Sequence, residues 1–168
     1  RLGFSRDEKA IVPVDEHGQY VDASGRVWHV CANAGLSGCT WLADAPGGRC
    51  FSCELTRTRP SDDDVKGLSE YPIAESAKRR LIVELDDLGF PIPTRQEDPE
   101  RGLAFDLLSS VNEKVTIGHA DGIITLDLAE SNDVHREQLR VSMDEPYRTM
   151  LGHFRHEIGH FYWQQLVT

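Results

Sequence analysis

His156, Glu157 and His160 are the residues whose types and spacing most clearly suit chemistry, in the run His156-Glu157-Ile158-Gly159-His160. This is an H-E-x-x-H pattern. On a helix, positions i and i+4 share one face, so both imidazoles can reach one metal ion. Glu157 follows His156 directly, and a carboxylate there can take a proton from water that the metal activates. The set is that of a zinc hydrolase, with His156 and His160 as metal ligands and Glu157 as the catalytic residue. The competing assignment is a surface helix carrying two solvated histidines.

The second set is thiol. All four cysteines, Cys31, Cys39, Cys50 and Cys53, fall within one short stretch. Cys50-Phe51-Ser52-Cys53 is a C-x-x-C, the spacing that lets two thiolates grip one tetrahedral ion. Cys31 and Cys39 are more loosely spaced, with pliable glycines at 35, 38, 47 and 48. A four-thiolate structural zinc site is expected. Two disulfides in a secreted protein are the alternative, and His29 is a possible substitute ligand. A redox role is disfavoured because no βαβ pattern surrounds the C-x-x-C.

These residues need elements to hold them. Asp144-Glu145-Pro146 suits a helix start, since acids and proline favour a first turn. From there Met150, Leu151, Phe154, Ile158, Phe161, Tyr162 and Leu166 recur at steps of three and four, the signature of a buried helical stripe. Gly159 costs about 1 kcal/mol of helix propensity, a cost easiest to understand where something packs closely. Upstream, Ile123-Ile124-Thr125-Leu126-Asp127-Leu128 reads as a strand, and Val115-Thr116-Ile117-Gly118-His119 as its hairpin partner across Ala120-Asp121-Gly122. A second helix is expected over about 73–88, with Ile73, Ala77, Leu81, Leu85 and Leu88 inward and Gly89 as its stop. Lys78-Arg79-Arg80 is assigned to its solvated face. Residues 57–64 read as a linker, with the acid run Asp62-Asp63-Asp64 as a solvated turn or a helix start. Before it, Ala10-Ile11-Val12-Pro13-Val14 and Arg26-Val27-Trp28-His29-Val30 read as short strands, too little apolar surface to fold without a metal staple.

The whole chain bounds the partners. There are 28 acidic residues against 18 basic ones and a formal charge of −10. That disfavours a phosphate-binding surface, so nucleic acid is not the expected partner. No apolar run is long enough to span a membrane and no signal peptide opens the chain. A cytoplasmic protein with a peptide or protein substrate is the expectation.

Several stretches together resemble one family. They are Cys31-Ala32-Asn33-Ala34, Gly38-Cys39-Thr40-Trp41-Leu42, Cys50-Phe51-Ser52-Cys53, Leu55-Thr56-Arg57-Thr58-Arg59-Pro60, Ala77-Lys78-Arg79-Arg80-Leu81 and Arg155-His156-Glu157-Ile158-Gly159-His160-Phe161-Tyr162-Trp163. In this order they resemble the bacterial zinc-binding metallopeptidases that couple an N-terminal zinc ribbon to a zincin-like domain. The resemblance implies an α+β protein, with a ribbon over residues 1–60 and the zincin-like domain over 61–168. It implies a further cysteine pair before a Leu-Gly-Phe such as Leu2-Gly3-Phe4, and a third zinc ligand, acidic or histidine, on a helix beyond Thr168. The chain is thus expected to be part of a longer protein.

Within the chain, His153 forms an i, i+3, i+7 row with His156 and His160. Three histidines on one straight helix span about 10 Å along its axis, too far to converge on one ion. His119, Asp127 and His135 are further candidates without supporting spacing. Two zinc ions are therefore expected in the complete protein: a structural one at the cysteines and a catalytic one at the H-E-x-x-H helix, held weakly or absent while only two ligands are present. The activity expected of the complete protein is zinc-dependent peptide hydrolysis. The alternative is a non-catalytic, zinc-stabilised protein-binding module.

Overall fold

A computed structural model describes residues 1–109, 118–128 and 150–167. The chain divides into two compact units, Arg1–Glu54 and Leu55–Thr168.

In the first unit, β1 (Leu2–Ser5) pairs antiparallel with β2 (Ala10–Pro13). A second sheet has the order β3 (Gln19–Val21), β4 (Val27–Val30), β5 (Leu42–Ala43), all antiparallel. Asp22 builds the turn between β3 and β4. Its carboxylate accepts the backbone N–H groups of Ser24 and Arg26, the Ser24 hydroxyl and the Trp28 indole N–H. Those bonds, that of the Ser24 hydroxyl foremost, hold its pKa down at about 2. Two single-turn helices, α1 (Ala34–Ser37) and α2 (Phe51–Glu54), carry the loops between cysteines. The buried apolar cluster here is small: Val12, Val14 and Leu42, with Tyr20, Trp28 and Val30 packed against it.

The second unit contains β6 (Thr56–Thr58), α3 (Val65–Leu88), β7 (Ala104–Leu108), β8 (Gly118–Ala120), β9 (Ile123–Asp127) and α4 (Met150–Val167). The sheet order is β6-β7-β9-β8. β6, β7 and β9 run parallel, and β8 is antiparallel to β9. Helix and strand together make the α+β class expected. The hairpin between β8 and β9 turns on Asp121 and Gly122, both with positive φ (53° and 84°). That is what a two-residue turn matched to sheet twist requires, and Asp-Gly supplies it. α4 packs on β8, β9 and α3. Its residues Met150, Phe154, Ile158 and Phe161 are buried, as their spacing predicts.

The structure corrects several expectations. α3 starts at Val65, not near 73. Gly67 and Pro72 look like breakers in the sequence, but the Asp64 carboxylate caps the helix by accepting the Gly67 N–H at 2.9 Å, and Pro72 sits in its second turn. The buried face of α3 is consequently Tyr71, Ala74, Leu81, Ile82 and Leu85, while Ile73 and Leu88 are exposed. Residues 57–64 are not a plain linker, since β6 occupies their start, while the α3 cap at Asp64 agrees with the helix start that the acid run allows. β6 lies in the second unit, whose first residue is Leu55. Leu166 is exposed rather than packed. Lys78 is fully buried, not solvated: its ammonium pairs with Glu75 at 2.9 Å and donates to the Thr56 hydroxyl. The expected helix start at 144–146, the segment 134–142, which reads as a further strand or the end of the crossover, and residues 115–117 lie outside the described residues.

Candidate metal centres

The four cysteines come together from separate elements. Cys31 follows β4, Cys39 follows the left-handed Gly38 that ends α1, Cys50 precedes α2 and Cys53 lies within it. Their sulfurs all lie within 4.8 Å of one another, and all four residues are buried. No disulfide joins them. Cys39 Sγ is 3.6 Å from Cys50 Sγ, close to the roughly 3.8 Å sulfur–sulfur edge of a tetrahedron with bonds of about 2.3 Å. Backbone N–H groups turn toward the sulfurs: Asn33 and Cys50 donate to Cys31 at 3.4 and 3.3 Å, and Cys53 donates to Cys50 at 3.4 Å. Such donors favour thiolates. The thiol of Cys39, then those of Cys50 and Cys53, push the pKa of Cys31 down, whereas Cys50 and Cys53 are pushed up, first by Cys31. Four clustered thiols cannot all ionise side by side, and a dication removes that conflict. The donor set fits one tetrahedral zinc. His29 lies in β4, opposite Gln19 and Ala43, and is outside the cluster.

The second centre is on α4. His156 and His160 are both exposed, and their Nε2 atoms approach to 3.3 Å with rings at 85°. Two imidazole nitrogens bound to one tetrahedral ion at about 2.0–2.1 Å lie roughly 3.3–3.4 Å apart. The pair therefore has the spacing of two zinc ligands. Glu157 is buried at 9% exposure, on the flank between the exposed histidines and the packed face. Three anchors hold this turn. Phe154 packs edge-on against Phe105 of β7 at 5.5 Å. Arg155 grips Glu84 of α3 through two nitrogens, at 3.1 and 2.6 Å. Tyr162 donates to the Pro91 carbonyl at 2.8 Å and packs against Phe90 with the rings tilted by 41°. Burial, with Asp86 nearby, pushes the Tyr162 hydroxyl up to about 12. His153 is half-buried on the same helix, and Asp127 ends β9. His119 lies in β8, and His135 lies outside the described residues. Among the described residues, only the cysteines form a group of three or more ligands.

A family model described as "Putative zinc-binding metallo-peptidase" matches residues 67–168. This chain belongs to that family. It is also similar to uncharacterized protein Mb2598c of Mycobacterium bovis and to uncharacterized proteins MT2644 and Rv2568c of Mycobacterium tuberculosis. Each is 56% identical over 99% of this chain and 47% of the relative. The chain thus spans about half the length of the curated relatives it matches. No solved structure matches it. No helix among the described residues is long and apolar enough to cross a membrane.

Sequence reasoning missed the buried Thr56–Glu75–Lys78 cluster and the meeting of Arg101 with Gln164 and Gln165 of α4 around one cavity. The first carries a helical signal, since Glu75 and Lys78 are one turn apart and flank the apolar stripe. The second carries none, because its members come from distant segments.

Proposed function

We propose that the complete protein hydrolyses peptide bonds with zinc held by His156 and His160. The observation that carries this reading is the 3.3 Å approach of the two Nε2 atoms on an exposed helix face, supported by membership of a zinc-binding peptidase family. Both imidazoles would bind the ion in their neutral form. When bound, zinc supplies Lewis acidity, which makes water nucleophilic near neutral pH and polarises the scissile carbonyl. Glu157 takes the proton of the attacking water and returns it to the leaving amine. The antiparallel strand β8 offers its backbone to an extended peptide substrate. A third ligand comes from elsewhere in the complete protein, and the cysteine site is a structural zinc ribbon. The protein acts in the cytoplasm.

The burial of Glu157 favours one second reading, a non-catalytic protein-binding module in which the helix metal is structural. Glu157→Gln in the full-length protein separates the two. The peptidase reading expects turnover to be abolished with zinc content unchanged, because a proton acceptor is lost and not a ligand. His156→Ala should lose the helix metal. Metal-dependent cleavage that survives Glu157→Gln, or no cleavage by the zinc-loaded wild type, would overturn the peptidase reading.

A further inference from the structure

Beyond His160, α4 borders a cavity of about 180 Å³, room for a single side chain. Its lining is Arg101, Asp121, Gly122, Phe161, Gln164 and Gln165. We propose that it is a subsite for a primary carboxamide, the side chain of glutamine or asparagine in a peptide. The inference deepens the peptidase reading and rests on it for the scissile bond alone.

The walls are built and fixed. The Arg95 guanidinium donates to the Pro99 carbonyl and to the Asp121 carbonyl, tying the 95–101 loop to the hairpin turn. The Gly102 N–H donates to Asp98 and the Ala104 N–H to Gly122, at 2.8 and 3.0 Å. A Cβ at Gly122 would strike the carbonyl oxygens of Arg101 and Gly102, so only glycine lets turn and loop meet. A pocket with such walls is formed before any ligand arrives.

Its chemistry selects by balance of charge. The lining holds one cation, Arg101, and one anion, Asp121, and neither side chain is in an ion pair among the described residues. A carboxylate would meet Asp121 and an ammonium would meet Arg101. An alkyl group would strip water from both and return no hydrogen bond. A primary carboxamide has an acceptor for the guanidinium and two donors for the carboxylate. Gln164 lies one turn, about 6 Å, beyond His160 along the helix. An extended peptide advances about 3.3 Å per residue, so one passing the histidines beside β8 would bring a residue roughly two positions from the scissile bond to this cavity.

The test is a binding measurement on full-length Glu157→Gln protein, which needs no turnover. N-acetylglutamine amide is titrated against the matching glutamate, lysine and leucine derivatives, reading the amide resonances of Gly122 and Phe161. The glutamine derivative should bind about tenfold more tightly than the others, since the site discriminates by hydrogen bonds. Asp121→Asn should move the preference to glutamate, and Arg101→Gln should move it to lysine. Both residues are exposed, and asparagine tolerates the positive φ of position 121. Equal affinities, shifts that miss Gly122 and Phe161, or variants that leave the preference unmoved would overturn the subsite. If carboxamide preference holds and zinc-loaded wild type cleaves no peptide, the peptidase reading falls and the subsite stands. Cleavage blind to glutamine at every position removes the subsite and leaves the peptidase reading.

Discussion

Glu70, buried on α3, shows how a single carboxylate sets a pH dependence. Its pKa is raised, first by burial and then by the nearby charges of Asp127 and Asp64, against a lowering influence from Lys66. A raised pKa means that the folded state holds the proton more tightly than the unfolded one. Its contribution is therefore fully present below the unfolded value of 4.5 and is lost as pH rises through the folded value. Glu70→Gln keeps the neutral shape and removes the titration. Thermal unfolding should show the variant gaining on wild type between pH 4 and pH 7, and an equal gap at both would refute the assignment. Single residues differ in how legible they are. His156 and His160 are readable because their relation is local, four positions on one helix. Lys78 is not readable: whether a lysine on a helix faces solvent or a buried partner depends on Thr56, twenty-two positions away in the chain.

That lysine matters most at the scale of elements. Thr56 of β6 donates to Glu75 at 2.6 Å, and Lys78 donates to Thr56 and pairs with Glu75, so one buried network ties α3 to an edge of the sheet. Removing one member strands a charge away from water. Lys78→Met should destabilise the second unit by about 3–5 kcal/mol, whereas Lys78→Met with Glu75→Leu should recover most of that loss. Chemical denaturation of the two variants measures it, and a double variant no better than the single one would contradict the account. The helix that carries the histidines depends on packing instead. Phe154→Ala deletes its buried contact with Phe105 and should cost about 3–5 kcal/mol. The imidazoles' approach should loosen with it, so zinc affinity at α4 should fall together with stability. The β8–β9 hairpin and α4 were legible because Asp-Gly and a stripe of period 3.6 are strong local signals. The start of α3 was legible only as one of two readings of the acid run at 62–64, because Gly67 and Pro72 follow as breakers and the Asp64 side-chain cap decides for the helix.

For the molecule as a whole, the two units should respond differently to loss of metal. The first has three buried residues in its apolar cluster, Val12, Val14 and Leu42. The second buries Tyr71, Phe105, Phe154 and Phe161 with a run of leucines and isoleucines. A segment with so small a core relies on its staple, and structural zinc at thiolates contributes an apparent 10–16 kcal/mol or so near neutral pH. Clustering of the cysteines made such a staple an expectation from the sequence. What it could not show is where the staple's reach ends, because β6 reads as linker until its parallel pairing with β7 is seen. The division after Glu54 sets the expected boundary. Stripping zinc with a strong chelator, or making Cys53→Ser, should expose the amides of β3, β4 and β5 to hydrogen exchange. Those of β7 and of α4 around Phe154 should stay protected even though the chelator would also take any metal from the histidine pair, because hydrophobic contacts and the Arg155–Glu84 bridge hold that helix without metal. Exchange that spreads through both units together would mean that the ribbon's zinc supports the entire fold. A ribbon still protected without metal would mean that its small core suffices and that the thiols serve some end other than stability.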